Sequence, residues 1–268
     1  MAPPAEQATL APAMQRPPRP AAEAPANAAV RLQQFIPSEL LAKLQTVQTS
    51  GSMEGERRVV TMLFCDVKGS TRAAAELDPE DWSEVINGAF DLMIRPVYQY
   101  AGMVARLMGD GILAFFGAPI AHEDDPQRAV LAGLEILRGL AAMRDKVQRQ
   151  WGIEVDARVG INTGLVVVGA VGSDLRVEYT ALGDAINLAA RMEQTAQPGT
   201  VQVAEETYRL VAAHFEFMDL GTVQVKGKDQ PVRAYQAVSY THLRAHETVL
   251  DIVCRLLLEK KKKIRRPT

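Results

Sequence analysis

A chain of 268 residues, 47% of them apolar, suits one globular domain of ordinary size with residues left over for tails. Its formal charge of −2 lacks the basic excess of a nucleic-acid-binding domain, so nucleic acid is not expected as a partner. Two isolated cysteines, Cys65 and Cys254, exclude a disulfide framework or a zinc site and agree with a reducing, cytoplasmic setting, and no apolar run approaches the roughly 18 residues that insert across a bilayer.

Residues 1–29 are biased to Pro and Ala, lack the apolar core of a signal peptide, and read as a disordered lead. Residues 30–55 hold a short amphipathic helix starting after Pro37 and a flexible joint, Gly51–Gly55. A dense globular pattern then runs over 57–237. Its first strand, Val59–Cys65, ends at Asp66 and leads into a Gly-Ser-Thr turn. A helix follows, with Asp78 as N-cap and Pro79 in the first turn. Trp82, Val85, Ile86, Ala89, Phe90, Met93, Ile94 and Val97 give that helix one buried face.

Two strands, Met103–Leu107 and Ile112–Phe116, flank the turn Gly109-Asp110-Gly111. A second helix covers Pro126–Gln150. Val155–Ile161 and Leu165–Val171 then read as a hairpin about Asn162-Thr163-Gly164. Tyr179–Leu182 is short and extended, Asp184–Gln194 is helical, and short strands with one more helix lead to Val232–Ala237. This order predicts an α+β, ferredoxin-like split βαβ (βαββαβ) sandwich, with a mostly antiparallel sheet and helices on one face.

Three clusters carry chemistry. Asp66 closes the first strand and Asp110 sits at the tip of the neighbouring hairpin, so the two carboxylates converge at one sheet edge in a split βαβ fold. Two carboxylates with open coordination positions suit a Mg²⁺ pair whose other ligands come from a triphosphate. Each Asp alone also reads as a turn residue. The segment Val67-Lys68-Gly69-Ser70-Thr71 has the form of a phosphate-approach turn, with backbone N–H groups at the following helix start. In the second cluster, Asn187 and Arg191 are four apart and share a helix face, while Ile186, Leu188, Ala189 and Met192 turn inward. A helix-held Arg can meet charge developing on a phosphate, or can simply be solvated. The third cluster is Lys226 and Lys228 in VKGKDQPV, either triphosphate ligands or an exposed turn.

Taken together and in this order, TMLFCDVKGST, RLMGDGILAFFG, VGINTGLVVVGAVG, YTALGDAINLAARME and VKGKDQPVRAYQ resemble the class III adenylate/guanylate cyclases over about 57–237. The resemblance implies two divalent metal ions, Mg²⁺ or Mn²⁺, held at Asp66, Val67 and Asp110. It implies phosphate contacts from Gly69, Ser70, Thr71 and Lys226, ribose orientation by Asn187, and transition-state stabilisation by Arg191. The reaction implied is ATP to 3′,5′-cyclic AMP and pyrophosphate. One subunit of the family's dimer supplies the metals and the other the Asn and Arg, so a homodimer with interface sites is implied.

Arg106 and Thr180 stand where the adenylyl pattern reads purine with Lys and Asp. Thr180 resembles the subgroup of bicarbonate-responsive cyclases, and its hydroxyl can accept from the adenine amino group. Arg106 brings a rigid fork of donors in place of one ammonium. The guanylyl pair, Glu and Cys, is absent, which favours ATP. Guanylate cyclase and a non-catalytic nucleotide-binding module are the alternatives. A diguanylate cyclase calls for a Gly-Gly-acidic-acidic hairpin that Met108-Gly109-Asp110-Gly111 does not offer.

Residues 239–268 form a basic segment with amphipathic character, suited on its face to acidic membranes. The segment also closely resembles translated sequencing-adapter read-through. On that reading it has no function, His242, His246 and Cys254 belong to no site, and the natural chain continued into a larger bacterial regulator. IPSELLAKLQ is either a packing helix or a coupling element at the dimer interface.

Overall fold

The computed structural model describes residues 56–173, 176–224 and 231–240, with side chains left out over 170–181. The lead, the IPSELLAKLQ segment, Lys226, Lys228 and the segment after Tyr240 lie outside the described residues.

The elements in chain order are β1 (Glu56–Lys68), α1 (Ser70–Glu76), α2 (Pro79–Gln99), β2 (Met103–Met108), β3 (Gly111–Phe116), α3 (Asp125–Trp151), β4 (Asp156–Ser173), β5 (Arg176–Leu182), α4 (Asp184–Thr195), β6 (Val201–Ala204), α5 (Glu205–Val211), β7 (Phe215–Val223) and β8 (Val232–Tyr240). One sheet runs β2-β3-β1-β4-β6-β8-β7, with β5 paired to β4. The β2-β3-β1-β4 half is the split βαβ order expected from the sequence. Every pairing is antiparallel except β4 with β6. Pro79 opens α2 after Asp78, and Val85, Ala89, Met93, Ile94 and Val97 form its buried stripe. β8 continues through Ser239 and Tyr240, which pair with Glu216 and Phe215, three residues past the expected end of the domain at 237.

Two expectations are corrected. The first is the hairpin at Asn162-Thr163-Gly164. β4 is one continuous strand, antiparallel to β1 without interruption from Glu56↔Val168 to Lys68↔Asp156. The turn-forming residues are instead buried partners. The Thr163 hydroxyl lies 2.9 Å from that of Thr61 and 3.0 Å from that of Thr207, and Asn162 Nδ2 donates to the Ala185 carbonyl at 2.9 Å. A Cβ on Gly164 would stand 2.6 Å from Ala185 Cβ, so this glycine serves close helix approach and not a turn.

The second concerns the faces of the sheet. α2 and α3 lie on one face, where Gly133 of α3 nears the Val159 side chain and Cys65 of β1 meets Met93 of α2. α4 covers the other face. Successive strand residues point to opposite faces, and the residue after Val159, Gly160, faces α4. A Cβ there would fall 1.9 Å from the Glu193 backbone nitrogen. Val60, Met62, Leu113, Phe115, Val166, Val168 and Ala189 build the core on α4's side. β1 and β4 are therefore buried on both faces, which is why their sequences read as continuous apolar runs.

Candidate active site

β1 and β3 place two carboxylates together. Asp66 pairs in register with Gly111, next to Asp110 in the two-residue β2–β3 turn. The chain leaves β1 through Gly69, in the left-handed region at φ 89°, and enters α1 at once. That reversal brings Ser70 back under the hairpin tip, where its hydroxyl donates to Asp110 Oδ2. Burial raises the Asp66 carboxyl above its ordinary value, and the adjacent Asp110 raises it further, opposed by the Arg158 guanidinium.

This neighbourhood holds more carboxylate than cation. Burial raises the Glu193 carboxyl, and the charges of Asp66 and Asp110 add to the rise, while Arg158 is the cation that opposes it at Asp66 and Glu193 alike. Two converging oxygen donors short of positive charge suit a hard divalent ion that takes its other ligands from water or phosphate. Among the described residues no group of three His, Cys, Asp or Glu side chains forms a closed metal cage. Asp66 and Asp110 would hold such ions, with the remaining positions left to water or phosphate.

The other sequence-predicted residues fall as follows. Val67 is buried in β1, and Thr71 is exposed on α1. Ser70 is buried and engaged with Asp110, so its hydroxyl is not a free phosphate donor. On α4, Leu188, Ala189 and Met192 turn inward while Asn187 is exposed. Ile186, expected inward, is only partly buried. Arg191 Nη1 donates to Gln194 Oε1, and Thr195 Oγ1 donates to the Arg191 carbonyl. Arg106 is exposed on β2 beside a register shift. Thr180 pairs with Gly169 on β5, a strand that approaches β2, so the two purine candidates ride on neighbouring strands.

Arg158 and Glu193 escaped the sequence reading. An Arg within an alternating strand and a Glu on a helix normally read as solvated. Arg158 pairs directly across from Asp66 in the β1–β4 ladder. Its Nη2 donates to Asp66 Oδ2 at 3.3 Å and its Nη1 to the Gln194 carbonyl at 3.1 Å. Its Nε lies 2.6 Å from Glu193 Oε1. That N–H is not aimed at the oxygen, so the contact is an ion pair without an aligned hydrogen bond. The available signal was the spacing Arg158-x-Gly160-x-Asn162-x-Gly164, every second residue of β4 turned to one helix.

The described residues include no helix long and apolar enough to cross a membrane. A model of the adenylate and guanylate cyclase catalytic domain matches residues 53–239. Adenylate cyclase 1 of Rhizobium meliloti (strain 1021) is 30% identical over 207 residues, which cover 76% of this chain and 31% of that protein. The chain thus spans about a third of the length of the curated relatives it matches. The crystal structure of the adenylyl cyclase CyaB from P. aeruginosa is 31% identical with a TM-score of 0.69, covering 71% of this chain and 98% of that one. That of the guanylyl cyclase Cya2 is 32% identical with a TM-score of 0.66, covering 72% and 98%.

Proposed function

The chain belongs to the adenylate and guanylate cyclase catalytic domain family, and from that membership we propose that it converts ATP to 3′,5′-cyclic AMP and pyrophosphate as a cytoplasmic homodimer. The observation that carries the reading is the convergence of Asp66 and Asp110 in a pocket of surplus negative charge, on a fold whose α4 presents Asn187 and Arg191 outward.

Divalent metal ions, when bound, supply Lewis acidity to the ribose 3′-hydroxyl and to the triphosphate. Asp66 and Asp110 would hold them, and the carbonyl of Val67 would add a further oxygen donor. Ser70 fixes the rotamer of Asp110 through its hydrogen bond. The turn through Gly69, Ser70 and Thr71 offers backbone N–H groups to phosphate oxygens, and Lys226 neutralises the leaving pyrophosphate. Asn187 orients the ribose. Arg191 meets the charge that grows on the α-phosphate as the 3′-oxygen attacks in line. Because Asn187 and Arg191 face outward, they serve the site of the partner subunit, and that subunit's equivalents serve this one.

Arg106 and Thr180 would read the purine. The Thr180 hydroxyl can accept from the adenine amino group, and the absence of the guanylyl pair Glu and Cys favours adenine. Relatives of both kinds, CyaB and Cya2, stand at similar identity, so guanylate cyclase is the second reading. The test incubates purified protein with Mn²⁺ and either ATP or GTP and identifies the cyclic product. Cyclic AMP as the main product is expected. Cyclic GTP-derived product in excess would replace the adenylyl reading with the guanylyl one. Nucleotide binding with no product from either would reduce the chain to a regulatory module.

A further inference from the structure

Ser70 opens α1, where a serine ordinarily gives its side-chain oxygen to the helix's own backbone N–H groups. Here the cap position belongs to Gly69, and no side chain caps the helix. Ser70 sits one residue further in, buried, and its hydroxyl goes to Asp110 Oδ2 instead. Backbone holds both ends of that bond. A Cβ on Gly69 would stand 2.7 Å from the Glu154 carbonyl oxygen, so the turn into α1 is pressed against the chain that enters β4. A Cβ on Gly111 would stand 2.5 Å from the Cys65 carbonyl oxygen and 3.4 Å from Asp66 Oδ1, so the hairpin tip that carries Asp110 is seated on the end of β1. Close packing of this kind leaves little room for either segment to shift. The orientation of the Asp110 carboxylate is therefore set by Ser70.

We infer that Ser70 is a positioning residue that sets the ion preference of the site: by holding one oxygen of Asp110 it restricts that carboxylate to one-oxygen coordination. The inference rests on the cyclase reading, in which Asp66 and Asp110 hold divalent ions. Mg²⁺ and Mn²⁺ favour octahedral oxygen sets, and the smaller Mg²⁺ demands nearly ideal geometry. Ca²⁺ gathers six to eight oxygens, in flexible geometry, and accepts both oxygens of a single carboxylate. A tethered Asp110 suits the octahedral ions. An Asp110 released from Ser70 can turn to offer Ca²⁺ a second oxygen.

The test measures Mn²⁺ binding to the purified full chain, without nucleotide, from the free-ion signal in electron paramagnetic resonance, and then displaces the Mn²⁺ with Ca²⁺. A group that orients a metal-binding side chain is ordinarily worth about 10- to 100-fold in metal affinity. Ser70→Ala is expected to weaken Mn²⁺ binding about tenfold and Ca²⁺ binding little, so that the preference for Mn²⁺ over Ca²⁺ falls about tenfold. Ser70→Thr, which keeps the hydroxyl, retains the wild-type preference. Loss of both ions by the same factor, as a merely loosened fold would produce, overturns the inference. Unchanged affinities for both ions in Ser70→Ala overturn it as well. An Asp110→Asn control that binds Mn²⁺ as tightly as wild type would instead strike the metal-site reading itself, and this inference with it.

Discussion

Asp66 is held in a costly state at the residue scale. Its carboxyl is raised above the ordinary value by burial and by Asp110. Below the ordinary value it is protonated in folded and unfolded chains alike. As pH rises through the raised folded value, the folded chain alone is forced to give up a proton it holds more tightly, and stability falls. Asp66→Asn removes that loss. In metal-free buffer the melting temperature of Asp66→Asn relative to wild type should rise from acid to neutral pH, while cyclase activity drops to background. A difference in melting temperature that stays constant with pH would contradict the assignment. The meeting of Asp66 and Asp110 was legible because a split βαβ order sets the end of the first strand beside the hairpin tip, although either Asp alone also reads as a turn residue. Arg158 and Glu193 were not, since their meaning comes from the pairing of β1 with β4 and from the packing of α4, neither of which is local in sequence. Arg191→Ala should lower kcat about 10²- to 10³-fold with the fold intact, the scale of removing one preorganised charge-stabilising donor; an unchanged kcat would remove Arg191 from the chemistry.

β4 decides where α4 sits, and through it where Asn187 and Arg191 stand. Arg158, Gly160, Asn162 and Gly164 line one face of the strand and meet α4 from Gln194 back to Ala185. Gly160 allows the closest approach, with no room for a methyl group beside the Glu193 backbone. Gly160→Ala should therefore cost roughly 3 kcal/mol or more, above the usual range for overpacking because the obstacle is backbone. Chemical denaturation measures this, and a cost under about 1 kcal/mol would mean that α4 is not seated as described. On the opposite face, Thr163→Val should cost about 1–3 kcal/mol by stranding the hydroxyls of Thr61 and Thr207. The same residues explain the misread hairpin. Asn, Thr and Gly form a turn signature when their side chains are free, and here each is used by a neighbour that the local sequence does not reveal. Strands and helices with a plain apolar period, such as α2 and β3, were legible nearly to the residue.

At the scale of the whole molecule, the order of elements carried the split βαβ topology, because short connections leave few ways to join strand, helix, hairpin, helix and strand. The placement of α4 on the second face was not legible, since periodicity marks a buried stripe without saying which layer buries it. That placement matters most for function. Asp66, near the end of β1, and Asp110, in the β2–β3 turn, lie together, while α4 turns Asn187 outward. On the proposed reading, such a chain carries two halves of a site that it completes only with a second copy. The direct test mixes an Asp66→Ala chain with an Arg191→Ala chain, each inactive alone, under conditions where subunits exchange. Random pairing makes about half of the dimers mixed, and each mixed dimer has one intact site of two, so cyclase activity should return to about a quarter of wild type. Mixed dimers that form and remain inactive would contradict composite sites shared between subunits.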